Sequence, residues 1–152
     1  MRSTRTITVE SIVRAGADRV WDALRYPGTF LYVTRGLLGF PSLVGRTAPF
    51  ELGEADSGML MLFHVLPLSR HHIHLVEMDP ATMTMRTEER GGLIRSWQHT
   101  LHVEAIDARS CRYTDTVVVD AGPFTAALAV SAEWLFRYRH LRWARLARRQ
   151  LS

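Results

Sequence analysis

The sequence predicts an α+β fold: a curved antiparallel sheet of about seven strands wrapped around a long C-terminal helix, with two short helices after the first strand. Three observations carry this. Residues 123–152 (PFTAALAVSAEWLFRYRHLRWARLARRQLS) contain no Gly or Pro after Pro123 and are dominated by Ala, Leu and Arg, all strong helix formers. Between Phe50 and Asp120, short apolar and β-branched stretches are separated by Gly, Pro, Asp and Ser clusters, the pattern of an antiparallel meander. Such a sheet must bury one face. The terminal helix, about 40 Å long at ~1.5 Å per residue, is the one element able to cover it.

The chain of 152 residues fits a single domain, 1–152. A chain of this size buries roughly 68–70% of its unfolded surface and needs no staples. The only cysteine, Cys111, excludes an internal disulfide and fits a reducing, cytoplasmic setting. It has no activating neighbour in sequence and is read as inert. Residues 1–20 hold no unbroken apolar stretch, so no secretory leader is expected. The longest apolar run, 59–66, is interrupted by His64 and is too short to insert into a membrane. Net charge is +4 and every basic residue is Arg. Arg137, Arg139, Arg142, Arg145, Arg148 and Arg149 crowd the last turns of the terminal helix, where positive charge suits the helix dipole. No interleaving of aromatic and basic residues on a sheet accompanies them, which argues against nucleic acid as a partner. A homodimer is left open.

Taken in order, the alternation of Ile7, Val9, Ser11 and Val13 with polar residues predicts a half-buried first strand over 4–14, with Ser11 its one small polar inward position. Gly16 ends it. A short helix follows to Arg25, with Val20, Trp21 and Leu24 on its apolar side, and Pro27 closes it. Residues 28–33 form a second short helix or turn. Trp21, Phe30 and Tyr32 either cap a cavity mouth or pack on the sheet edge. Residues 34–49, rich in Gly and Pro, carry no clear periodicity. Six strands are then expected over 50–54, 59–66, 71–78, 83–89, 93–106 and 111–120. Their turns are 56–58, 67–69, 79–81, 91–92 and 107–110. On the terminal helix, Phe124, Leu128, Leu135, Tyr138 and Leu141 recur at helical spacing, with Ala127 and Trp134 alongside.

The order of elements resembles the START-like, or Bet v 1-like, superfamily with its helix-grip fold. The local carriers are SIVRAGADRVWDALRYP, SWQHTLHVEA, CRYTDTVVVDAG and LFRYRHLRWARL, which look like the polyketide cyclase/dehydrase-type branch. The resemblance implies a cavity between sheet and helix that holds a small hydrophobic molecule: a lipid, a polyketide or another aromatic or apolar metabolite. It implies, as an alternative, an enzyme similar to polyketide cyclases/aromatases, and leaves turnover open.

Period-two patterning assigns the inward face. In 93–106, Arg95, His99, Trp97, Leu101, Val103 and Ala105 share one side. In 111–120 that side carries Cys111, Tyr113, Asp115, Val117 and Val119. Asp115 and His99 invite reading as a carboxylate–imidazole pair, but hairpin register sets Asp115 opposite Leu101 or Val103, a diagonal step of about 7 Å or more from His99. Counting residues along strand and returning helix brings Tyr138 or Arg139 over Asp115 instead. The residues expected to line the cavity are Phe30, Phe63, Met85, Trp97, His99, Leu101, Tyr113, Asp115, Val117, Leu128, Trp134, Leu135 and Tyr138. Arg95, His99, Asp115 and Tyr138 are the candidates for polarising a carbonyl or moving a proton. Met59, Met61, Met78, Met83 and Met85 suit an adaptable wall or a plain core.

His72 and His74 share a strand face, but zinc needs at least a third protein ligand, which His64 would have to supply. Exposed histidines at a strand start are the simpler reading, and no metal is expected. Glu88 and Glu89 read as a solvated hairpin end. There is no phosphate-binding Gly-rich loop, dinucleotide fingerprint or Gly-x-Ser-x-Gly elbow, so no cofactor is expected.

Overall fold

The terminal helix lies in the grip of the sheet, and the whole chain runs around it. The structure, a computed structural model, describes residues 3–63 and 65–151. Strand β1 (Arg5–Val13) is followed by helices α1 (Ala17–Leu24) and α2 (Pro27–Thr34), a two-residue strand β2 (Leu38–Gly39) and a 3-10 turn at Pro41–Leu43. Strands β3 (Ala55–Leu62), β4 (Leu66–Asp79), β5 (Thr84–Gly91), β6 (Ile94–Asp107) and β7 (Ser110–Asp120) form the meander. A 3-10 turn at Gly122–Phe124 then leads into α3 (Thr125–Leu146), which loosens into a π-helical turn at Ala147–Leu151. The single seven-stranded sheet has the order β1-β7-β6-β5-β4-β3-β2, antiparallel throughout. This is the helix-grip arrangement. No helix among the described residues is long and apolar enough to cross a membrane.

The count of strands agrees with the sequence, but two of them differ in place. Residues 50–54 are not a strand. Arg46 organises this segment: its guanidinium pairs with Glu54 and donates to Pro49 O at 3.1 Å, while Glu51 N–H donates to Glu54 at 2.9 Å. These local bonds replace a strand ladder. The seventh strand is β2, too short to leave a period-two signal. β3 begins at Ala55, so Asp56, Ser57 and Gly58 lie within the strand and the turn falls after Leu62 instead. Pro67 is tolerated inside β4 because it faces Met61 at a register shift, where a missing N–H breaks no regular ladder.

Two apolar clusters fill the grip. Val13, Val20, Trp21, Leu75, Met85, Leu101, Val103, Tyr113 and Trp143 are among the members of the larger. Ile7, Val117, Val119, Ala132 and Phe136 form the smaller. Trp21 therefore packs in the core and does not cap a cavity. Met85 alone of the five methionines named above is fully buried; Met59 is exposed.

The buried face of α3 is rotated from the stripe read in the sequence. It carries Thr125, Ala132, Phe136, Arg139, His140, Trp143 and Leu146. Phe124, Trp134 and Leu141 are exposed instead, Trp134 at 75%. Periodicity analysis favours the largest apolar residues. The real interface uses small ones where the helix crosses β1 and β7, and polar ones where it meets the carboxylate beneath it.

That carboxylate is Asp115, 1% exposed. His99 Nε2 lies 2.6 Å from Asp115 Oδ1, and the Tyr113 hydroxyl donates to the same oxygen at 3.0 Å. His140 Nε2, from α3, lies 2.9 Å from Oδ2. An ionised carboxylate only accepts, so both imidazoles present Nε2–H to it. His140 Nδ1 in turn meets Ser11 Oγ on β1 at 2.6 Å, which places Ser11 inward as its parity indicates. The expected register is correct: Asp115 stands opposite Leu101 and His99 opposite Val117. The inferred separation of Asp115 from His99 is not. Sheet twist shortens one diagonal, and an imidazole spans the rest. The helix contact also falls one residue past the expected pair, on His140 rather than Tyr138 or Arg139.

Burial pushes the Asp115 carboxyl up, but the charge of His99, hydrogen bonds from His140 and His99, and the nearby Arg139 outweigh it and hold it well below the usual carboxylate range. A depressed folded value adds stability above the ordinary aspartate value of ~3.9, and this is lost as pH falls toward the folded value. Asp115→Asn should therefore lower stability at neutral pH by about 3–5 kcal/mol, the usual cost of breaking a buried pair. It should also flatten the loss of stability below about pH 4. Urea unfolding at a series of pH values checks both.

Candidate functional site

The grip is not filled. Between the sheet, α2 and α3 lies a cavity of about 910 Å³, and behind it a smaller chamber of about 100 Å³. The outer cavity is bounded by Leu60, Leu62, Phe63 and Leu68 from the β3–β4 region, by Leu93, Ile94 and Trp97 from β5–β6, and by Leu128, Leu135 and Phe136 from α3. The inner chamber is bounded by Leu24, Val33, Leu43, Phe50, Ile73, Leu75, Met85, Leu101 and Trp143. Phe30, Glu89, His99 and Arg139 line both and form the neck between them.

Alternation places the two polar strand residues at the neck. Trp97, His99 and Leu101 point inward from β6, while Met85, Thr87 and Glu89 do so from β5. Glu89 is therefore not a solvated hairpin end. It stands opposite Ile73, one diagonal step from His71, and its Oε2 lies 2.7 Å from His71 Nε2. Thr87 Oγ1 donates to Oε1 at 2.7 Å. Burial raises the Glu89 carboxyl, and hydrogen bonding and charge from His71 more than offset this, leaving it below the ordinary glutamate value. His71 Nδ1 is buried with no partner among the described residues. A side chain at Gly91 would collide with the backbone of Arg70 and press on the His71 ring, so glycine there leaves His71 its place.

Arg139 enters from α3 and is 5% exposed. Its guanidinium lies 4.8 Å from the Phe136 ring and 5.8 Å from the Phe30 ring. Its Nε is buried with no hydrogen-bond partner among the described residues. The His99 ring packs on the other aromatic partner, 4.8 Å from Phe136. With Nε2 held by Asp115, only Nδ1 of His99 is left for an occupant.

The residues expected to line the cavity divide into three groups. Phe30, Phe63, Trp97, His99, Leu128, Trp134, Leu135 and Tyr138 bound the outer cavity, and Met85 and Leu101 the inner one. Tyr113, Asp115 and Val117 lie beneath the wall: Tyr113 and Asp115 act through His99, and Val117 supports Phe136. Arg95 is outside. It sits exposed near the start of β6, against Gly122, beyond the reach of the helix. Tyr138 is at the mouth, where its hydroxyl donates to Arg35 O, and so ties α3 to α2 instead of meeting Asp115. Sequence reasoning missed Glu89, His71 and His140, and it brought Arg139 over Asp115 without assigning it to the cavity. The parity of Glu89 with Met85 was a usable signal. His140 had none of its own, being a polar residue one position past the pair that residue counting brings over Asp115.

His72 and His74 are exposed, and His64 lies outside the described residues. No group of three metal-binding side chains occurs among the described residues. Cys111 is buried, and burial pushes its thiol up to about 11, away from reactivity.

Comparison with known structures places the fold. Norcoclaurine synthase from Thalictrum flavum, in complex with dopamine and hydroxybenzaldehyde, superposes with a TM-score of 0.70 at 15% identity over 99% of this chain and 90% of that one. The Zhui aromatase/cyclase from Streptomyces sp. R1128 superposes with a TM-score of 0.74 at 13% identity over 99% and 97%. A protein from Chromobacterium violaceum does so at 0.69 and 14% over 93% and 96%. No curated protein matches the chain in sequence. A family model described as "Domain of unknown function (DUF8410)" matches residues 46–149. The chain thus belongs to the DUF8410 family, and its fold is that of the START-like, Bet v 1-like superfamily.

Proposed function

We propose that this protein binds a small hydrophobic molecule in the cavity between the sheet and α3. The observation that supports this best is the cavity itself. A space of about 910 Å³ falls in the range of ligand pockets, roughly 300–1,000 Å³. Its walls are largely Leu, Phe and Trp; His71, Glu89, His99 and Arg139 are the main polar groups around it, and Glu54 and Asp56 border the inner chamber. The norcoclaurine synthase structure with the same fold holds dopamine and hydroxybenzaldehyde, small aromatic molecules of the kind such walls accept.

His99 favours a second reading, an enzyme resembling polyketide cyclases. A buried carboxylate that fixes one imidazole nitrogen and leaves the other toward a cavity is the arrangement of an oriented general base. Arg139 at the same neck would stabilise an enolate or polarised carbonyl oxygen.

Binding is tested with butylpyrene as a fluorescent probe. Saturable enrichment of its emission is expected, and Leu128→Trp, which narrows the outer cavity, should weaken it by about tenfold or more while the melting temperature stays close to that of the native chain. Unsaturable uptake, or equal uptake by both, would contradict the cavity reading. For the second reading, incubation with a synthetic poly-β-ketone thioester should yield a cyclised product. His99→Gln should abolish the turnover and keep butylpyrene affinity within about twofold. Equal product without protein would sink it.

A further inference from the structure

We infer that the neck of the cavity selects molecules bearing an acidic oxygen function, a carboxylic acid or an enol or phenol of similar character, and holds them as the anion against Arg139. The inference rests on the binding reading above and specifies its ligand.

The neck holds one carboxylate, Glu89, and one guanidinium, with the Asp115 carboxylate beneath the wall behind His99. Both carboxylates are already satisfied: Asp115 by His99, His140 and Tyr113, and Glu89 by His71 and Thr87. Arg139 is not. Its Nε is buried and unbonded among the described residues, its guanidinium packs on the faces of Phe30 and Phe136, and Asp115 feels its charge without a hydrogen bond to it. A guanidinium withdrawn from water needs acceptors for its N–H groups, and ring faces supply only part of what water gave. Because Arg139 lines both the outer cavity and the inner chamber, an acceptor can approach from the cavity. A planar fork of N–H donors matches an oxyanion better than it matches a neutral oxygen.

His99 lines the same neck with Nε2 bonded to Asp115, so Nδ1 is the ring nitrogen left to hydrogen-bond an oxygen of the ligand. The acidic group binds as the anion, exchanging water for the guanidinium of Arg139, and no covalent bond changes. The inner chamber adds a shape requirement. At about 100 Å³ it is smaller than the ~150 Å³ voids that admit benzene, so it takes a short alkyl branch next to the acidic group. The bulk of the molecule stays in the outer cavity.

Three probes with one apolar body decide this: pyrenebutanoic acid, pyrenebutanol and pyrenebutylamine, titrated into the intact protein and followed by fluorescence anisotropy. The acid should bind about tenfold tighter than the alcohol or more, as a charge-assisted bond predicts. Arg139→Gln should bring acid and alcohol within about twofold. Equal affinities in the unmodified protein, or a preference for the amine, would overturn the inference and leave the cavity reading standing. Failure of all three to bind would remove the cavity reading as well. If Arg139→Gln does not fold, the ranking in the unmodified protein decides alone.

Discussion

One buried carboxylate holds this structure together in its functional form. Asp115 lies on the seventh strand, beneath the helix that the sheet encloses, and is shared by imidazoles from two different elements. His140 brings α3 down onto the strands, and Ser11 extends the chain of bonds to β1 at the sheet edge. His99 is fixed on the opposite side, toward the open space. The same charge that anchors the helix therefore orients the group best placed to meet a ligand. A charge this deep is tolerated because every lone pair that matters has a donor. Tyr113, pushed well above its ordinary value by burial and by Asp115, stays protonated to supply one of them.

The cavity follows from where the helix is held. Near the Asp115 cluster, α3 packs closely through Ala132, Phe136 and Trp143. Toward its N-terminal half it diverges from β3–β5, and Leu128 and Leu135 reach only the margin of a gap. The strands on that side contribute a second diagonal pair, His71–Glu89, built like His99–Asp115. In both, the histidine donates to a carboxylate offset by one diagonal step on the neighbouring strand. Repetition of one geometry at two sites points to sheet twist as its common cause.

Much of the fold was legible. Alternation gave β1, β6 and β7 nearly to the residue, and the inward assignments of Ser11, His99, Tyr113 and Asp115 agree with the structure. The meander failed where side chains act on backbone: Arg46 and Glu54 lock 46–54 into a loop, and β2 is two residues long. The site was legible only in part. Parity identifies which residues face in, but contact across a diagonal depends on local twist and rotamer, which spacing alone does not carry. For that reason Asp115 and His99 were placed apart. The largest apolar residues of the helix set its expected inward stripe, so His140 falls outside it, while counting along strand and helix brings Arg139 over Asp115. Only the carboxylate below makes His140 interior.

The central claim is that Asp115 is an ionised hub shared between two imidazoles. It is tested most directly by NMR, following the carboxyl carbon of Asp115 and the side-chain nitrogens of His99 and His140 through an acid titration of the folded protein. The account predicts that the Asp115 carbon keeps its ionised shift below ~3.9, where ordinary aspartates titrate. It also predicts that Nε2 of both histidines carries a proton throughout. An Asp115 carbon that titrates as an exposed aspartate does, or a neutral His99 protonated only at Nδ1, would contradict it.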